Sequence, residues 1–189
     1  YTATNKLYGT LEIAAVSYGF GVSSFVGQNL GAGRTDRIRK GVHAGAITGV
    51  ITAWVIMAVM LIFGRTIVSG FISGTPEEVA AATKYSCEFL YIMSVCLPIL
   101  YLLHIYRSAL QGMGNALVPM STGILELLAR VGSAFVLPGI FGYKGLFYVE
   151  ILAWISADVV LLPGFYIFLK RKKAVLEESA RKVGGGETV

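Results

Sequence analysis

Five long apolar runs, separated by short polar segments, dominate this 189-residue chain. An α-helix needs about 20 mostly apolar residues to cross the hydrocarbon core of a bilayer, and each run is close to that length. The predicted spans cover residues 7–27, 42–63, 85–106, 116–137 and 146–169. The chain is therefore predicted to be all-α: a polytopic membrane helix bundle of five transmembrane helices over residues 1–169, with no sizeable soluble domain.

Composition and motifs exclude most enzyme classes. The chain is 55% hydrophobic and 14% charged, whereas soluble domains carry about 25% charged residues. The metalloprotease, serine-hydrolase and P-loop patterns are all missing from the sequence. Two cysteines, Cys87 and Cys96, are too few for a metal centre or a disulfide framework. The sequence predicts no enzymatic activity, no metal and no cofactor.

Lysine and arginine are distributed unevenly among the segments that connect the predicted spans. Cytoplasmic loops are enriched in these residues, so their distribution predicts the orientation. The loop after the first span, the loop after the third and the C-terminal tail hold 11 of the 16: Arg34, Arg37, Arg39, Lys40, Arg107, Lys170, Arg171, Lys172, Lys173, Arg181 and Lys182. The opposite side holds Lys6, Arg65, Lys84 and Lys144. This places the basic tail 170–189 in the cytoplasm, and it makes the net charge of +5 a sign of topology rather than of nucleic-acid binding.

Three ionisable residues fall near the middle of predicted spans: Glu126, Arg130 and Asp158. Charges at this depth are costly, so such residues are candidates for a substrate or ion site. Glu126 and Arg130 are four residues apart, which places them on one helix face and predicts an ion pair between them. That pair is either a static contact that helps the helix insert or a contact that breaks during transport. Asp158 has no basic neighbour in sequence, so it is protonated, faces water or meets a group on another helix.

Other ionisable residues lie nearer the ends of their spans. Glu12, Glu88 and Glu150 fall toward the outer side, where they reach headgroups or share a vestibule that attracts cations. His104 and Arg107 fall near the cytoplasmic end of the third span, where extension toward the membrane surface or contact with a loop is predicted for both.

Prolines and small residues predict how the helices bend and pack. Pro98 and Pro163 interrupt the third and fifth spans, and each is either a static kink or a hinge between two access states. Gly41, Gly45 and Gly49 are spaced by four, and the first span carries Gly19, Ser23 and Gly27 on one face. Such stripes predict close helix packing.

Two loop segments resemble hallmarks of the multidrug and toxic compound extrusion (MATE) family of transporters. They are VGQNLGAGR at 26–34 and RSALQGMGNALVPM at 107–120, and ILELLARV at 124–131 and FGYKGL at 141–146 fit the family's final helices. The resemblance marks these loop residues: Gln28, Asn29, Gly31, Ala32, Gly33, Arg34, Gln111, Gly112, Gly114 and Asn115.

The resemblance implies a fold and an activity. Family members have twelve helices in two six-helix lobes and exchange a proton or sodium ion for a small organic cation or drug across the cell's inner (plasma) membrane. Twelve spans need about 240 residues before any loops, so the chain is expected to match helices eight to twelve of a longer protein. Its partners would then be the N-terminal lobe and helix seven, together with membrane lipid, and the chain would be inactive alone.

The family pattern does not supply the candidate charges. Some members carry an aspartate in the middle of helix ten, but Leu100 stands near that place and residues 92–106 contain no carboxylate. Glu126, Arg130 and Asp158 are therefore proposed from their depth in the spans. Two alternatives are a flippase for lipid-linked sugars from the same superfamily and a helical scaffold without transport. The acidic excess in mid-span favours cationic substrates over the flippase.

Overall fold

The computed structural model describes the backbone of residues 2–71 and 76–184, and the side chains within 8–178 apart from 71–78, 80 and 81. The described residues form five α-helices and one short 3-10 helix, and the all-helical prediction is confirmed. The helices are α1 (Thr2–Gly31), α2 (Thr35–Phe71), α3 (Pro76–Gly112), α4 (Leu117–Phe141) and α5 (Gly145–Gly184), with the 3-10 helix Gly142–Lys144 between the last two.

Three of the described segments are long and apolar enough to cross a membrane: Thr35–Gly70, Ala82–Gly112 and Leu117–Glu178. The third segment contains α4 and most of α5, and α1 is not among the three. Four of the five predicted spans each lie within a different helix, namely α1, α2, α3 and α5. The span 116–137 starts one residue before α4. Helix α5 has 40 residues and is therefore about 60 Å long. The predicted tail thus begins as a continuation of this helix.

Helix α3 lies at the centre of the bundle and packs against α1, α2 and α5. Its side chains Leu97, Leu100 and Leu103 are fully buried in the main core, where Trp154 and Phe165 of α5 join them. Helix α4 packs mainly on α5, and most of its apolar side chains face outward. This outward face suits a hydrocarbon environment, because lipid tails replace water around it.

The small-residue stripes pack against neighbouring helices, as predicted. A methyl group added to Gly19 of α1 would lie 2.6 Å from Ser108 Oγ of α3, and one added to Gly112 would lie 2.6 Å from the carbonyl oxygen of Ser23. The stripe of α1 therefore packs on α3 rather than on the stripe of α2. The glycine stripe of α2 contacts two different helices. Gly41 lies against the Phe25 ring of α1, while Gly49 lies against side chains of α3.

Helix α1 ends in a hydrogen-bonded reversal within the first family-like loop. The Arg34 amide donates to the carbonyl of Asn29 at 2.8 Å, and the Gly33 amide donates to that of Leu30 at 2.9 Å. Gly33 has a φ of 70°, the left-handed conformation that glycine adopts at this position. The loop motif therefore specifies where α1 stops and how α2 starts.

The second family-like loop ends α3 in the same way. The Asn115 amide donates to the carbonyl of Leu110 at 3.0 Å, the Gly114 amide donates to that of Gln111 at 2.9 Å, and Gly114 has a φ of 79°. The Asn115 side chain then accepts a hydrogen bond from the Val118 amide at 3.2 Å. This bond satisfies a free amide at the start of α4.

Both candidate hinge prolines lie inside uninterrupted helices, Pro98 in α3 and Pro163 in α5. A proline removes the hydrogen bond to the carbonyl four residues earlier, which for Pro98 belongs to Ser94. The Ser94 hydroxyl is buried and has no hydrogen-bond partner among the described residues. The hinge role itself stays a prediction.

Candidate functional site

Charged side chains from α3, α4 and α5 meet along the interface between these helices. Arg107 of α3 donates a hydrogen bond to the carboxylate of Glu126 on α4, and the two side chains are 24% and 11% exposed. The predicted pair between Glu126 and Arg130 is wrong. Glu126 is turned toward α3, because a cation on a facing helix lies closer to it than the cation on its own helix.

Arg130 has a partner on α5 instead. Its guanidinium lies 2.8 Å from the carboxylate of Glu150, and the two side chains are more exposed than those of the first pair. Arg130 is therefore neutralised by a residue that the sequence placed at the outer end of the fifth span. Each mid-span charge of α4 is matched by a neighbouring helix.

Asp158 of α5 lies beside the first pair without joining it. Its Oδ1 atom is buried and has no hydrogen-bond partner among the described residues, and the same is true of Arg107 Nε. The positive charge of Arg107 acts on the Asp158 carboxyl group. Arg107 is thus bonded to one acid, Glu126 on α4, and is within electrostatic range of a second, Asp158 on α5.

A third charged contact lies near the other end of the interface. The Tyr143 hydroxyl donates to Glu88 at 2.9 Å, and Lys144 Nζ lies 3.3 Å from the same carboxylate. Arg107 follows Glu88 by 19 positions on α3, which corresponds to about 28 Å along the helix axis. The three contacts are therefore distributed over a length close to the thickness of a bilayer core.

A cavity of about 740 Å³ opens between α3 and the α4–α5 hairpin. Four aromatic side chains line it, Tyr85, Phe89, Tyr143 and Phe147, together with the carboxylate-bearing Glu150. Aromatic faces attract cations, and a carboxylate adds an attractive charge. The rings pack edge to face on one another, so a cation in the cavity would contact ring surfaces beside an acid.

The structure also shows which predicted contacts do not form and which residue the sequence missed. Arg107 binds Glu126 instead of reaching only for the membrane surface or a loop, so the prediction for this residue is corrected. His104 makes a local contact, with its Nδ1 atom 3.0 Å from the Leu100 carbonyl. Nothing near Arg107 in sequence pointed to its partner, because that partner lies on the next helix. Among the described residues, no three histidine, cysteine or acidic side chains come together as a metal site.

Comparisons with known proteins agree with the resemblance found in the loops. The MatE family model matches residues 1–136. The chain is also 26% identical over 186 residues to a Bacillus subtilis (strain 168) protein described as a probable multidrug resistance protein, YoeA. The alignment covers 93% of this chain and 37% of that protein, so the chain spans little more than a third of the relative's length. No solved structure matches the chain.

Proposed function

Because the chain belongs to the MatE family, we propose that it forms helices eight to twelve of a multidrug efflux antiporter that exchanges a proton or sodium ion for organic cations. In this proposal α1 to α5 each cross the inner membrane, and the C-terminus is cytoplasmic. The match to less than half of a probable multidrug resistance protein supports a lobe rather than a whole transporter. We expect transport to need the N-terminal lobe and helix seven, and the chain alone to be inactive.

The charged side chains along the interface of α3, α4 and α5 are the observation that carries the proposal. Two arginines, Arg107 and Arg130, are each held by a glutamate, and Asp158 remains as an additional acid. An interface with a surplus acid favours cationic over anionic cargo. A flippase for anionic lipid-linked sugars would need the opposite surplus.

Asp158 is proposed as the group that couples transport to the ion. When its carboxyl group is protonated, Arg107 interacts with Glu126 alone. When it is ionised, or when a cation approaches it, the arginine is shared between two carboxylates on different helices. Gain or loss of one positive charge at Asp158 would therefore change how tightly α3 is held to α4 relative to α5.

The aromatic cavity is proposed to receive the organic cation. Tyr85, Phe89, Tyr143 and Phe147 offer ring faces, and Glu150 supplies charge once Arg130 is displaced from it. A bound cation competes with Arg130 for the same carboxylate. This competition would connect the cavity to the charged contacts deeper in the interface.

The test uses the intact transporter that carries this chain, expressed in cells that lack other drug pumps. We expect efflux of a cationic dye to fall at least about tenfold when Asp158 is replaced by asparagine, and its dependence on external pH or sodium to disappear. The control is Asp36→Asn, which changes the chain's other aspartate at an exposed position. Equal efflux and unchanged ion dependence in the Asp158 variant would remove this residue from the coupling site. Absence of dye efflux in the unmodified transporter, at normal membrane abundance, would reject export of such cations.

A further inference from the structure

The first family-like loop forms a basic cavity that the transport proposal leaves without a role. A cavity of about 590 Å³ lies where α1 ends and α2 begins. Three cationic side chains line it, Arg34, Arg37 and Lys40, and the polar side chains of Gln28 and Asn29 border it. It therefore combines three positive charges with hydrogen-bonding groups at one end of a membrane helix pair.

The three cations are available for an external ligand. All three are exposed, and none forms an ion pair within the part of the chain that the structure describes. The acid in this region is Asp36, and Lys173 of α5 holds it at 3.1 Å. Because Asp36 is already matched, the local charge left for a ligand is strongly positive.

Part of the cavity wall is apolar, and an exposed apolar face of α2 continues from the cavity. The Phe25 ring lines the cavity and lies against Gly41, which has no side chain to displace it. On α2, residues spaced by three and four positions from Arg37 and Lys40 share their face of the helix. This face continues through exposed apolar side chains, namely Ala44, Ile47, Ile51, Trp54, Val55 and Ile62.

We propose that this cavity, at the α1–α2 junction, binds the phosphate headgroup of an anionic phospholipid whose acyl chains lie along the exposed face of α2. Charge complementarity favours this occupant, because basic pockets at the ends of membrane helices attract anionic headgroups. The exposed apolar face of α2 that follows the cations suits an amphipathic ligand. A free anion or a nucleic acid has no apolar part to bind this face. The loop motif thereby gains a role in lipid binding in addition to ending α1.

The test measures lipid retention by the intact protein in detergent, using native mass spectrometry with added phosphatidylglycerol or phosphatidylcholine. We expect the unmodified protein to retain phosphatidylglycerol preferentially, and the triple variant Arg34→Gln, Arg37→Gln, Lys40→Gln to bind it at least about tenfold more weakly. The matched control is Lys170→Gln, Arg171→Gln, Lys172→Gln, which removes the same charge from the extension of α5. This control should change the affinity less than about twofold.

Three results would overturn the proposal. They are equal binding of the two lipids by the unmodified protein, equal loss of binding in the two triple variants, and displacement of phosphatidylglycerol by inorganic phosphate at millimolar concentration. If the triple variant does not fold, Arg34→Lys with Arg37→Lys and the single change Lys40→Gln replace it. The first should keep most of the affinity because it keeps the charge, and the second should lower it. No change in the second would also reject the site.

Discussion

Arg107 of α3 binds Glu126 of α4, 19 positions later in the chain, although Arg130 lies only one helical turn from that glutamate. The contact ties together two helices that otherwise touch little, because α4 packs mainly on α5. Removing Glu126 would take away the carboxylate that is hydrogen-bonded to Arg107, and Asp158 would remain nearby without a hydrogen bond to the arginine. The two side chains are mostly buried, so the structure makes this contact sensitive to substitution.

Glu126→Gln is expected to destabilise the protein by about 2–3 kcal/mol, since a fully buried unpaired charge costs about 3–5 kcal/mol and these groups are partly exposed. The measurement is the thermal unfolding midpoint in detergent. The control is Glu150→Gln, which breaks the more exposed pair with Arg130 and should cost about 1 kcal/mol or less. Equal losses from the two changes would contradict the assignment, and the exchange Arg107→Glu with Glu126→Arg should recover part of the loss.

Two glycines of the first loop give a matched comparison. Gly33→Ala should destabilise the protein by about 1–2 kcal/mol, because alanine is strained in the left-handed conformation that this residue adopts. Gly31→Ala, two positions earlier, places a methyl group in open space on a helical residue and should cause no loss. Unfolding midpoints of the two variants in the same detergent test this difference, and identical midpoints would argue against the reversal at Gly33.

The close approach of α1 and α3 can be tested at Gly112. A methyl group at this position would meet the backbone oxygen of Ser23, and backbone atoms cannot move aside without moving a helix. We expect Gly112→Ala to cost about 1–3 kcal/mol through overpacking. Gly123→Ala on α4 meets nothing within 4 Å and should be neutral or stabilising. Distance measurements between spin labels on α1 and α3 should show separation in the first variant only.

A hinge at Pro98 predicts opposite effects on stability and on transport. Proline in a helix interior costs about 3 kcal/mol relative to alanine, so Pro98→Ala should raise the unfolding midpoint. If the helix bends there during transport, the stiffer variant should move dye at least several-fold more slowly in the intact transporter. Pro138→Ala on α4 is the control, since it should raise stability without slowing transport. A stabilised Pro98 variant with unchanged dye flux would assign the residue to a static kink.

Local sequence patterns predicted the helices well and the charge partners poorly. Each apolar run lies within a helix, except that the fourth run begins one residue before α4. Helix bounds could be predicted because they depend on local features, namely the length of the apolar run and the glycines that end a helix. The partners of Glu126 and Arg130 depend on how α3, α4 and α5 are placed. The four-residue spacing favoured a pair on α4, but facing helices offered each charge a nearer partner. Arg107 was missed for the same reason: its role depends on two other helices.

The contact between Arg130 and Glu150 has a consequence for how the protein is made. A ribosome adds about 5–20 residues per second, so the acid follows the arginine by a few seconds at most. The short turn at Gly142–Lys144 lets the two helices fold back on each other as they emerge. We expect α4 and α5 to leave the translocation channel together as a hairpin in which Arg130 is already paired, because this arginine meets its counter-ion before either helix faces lipid alone.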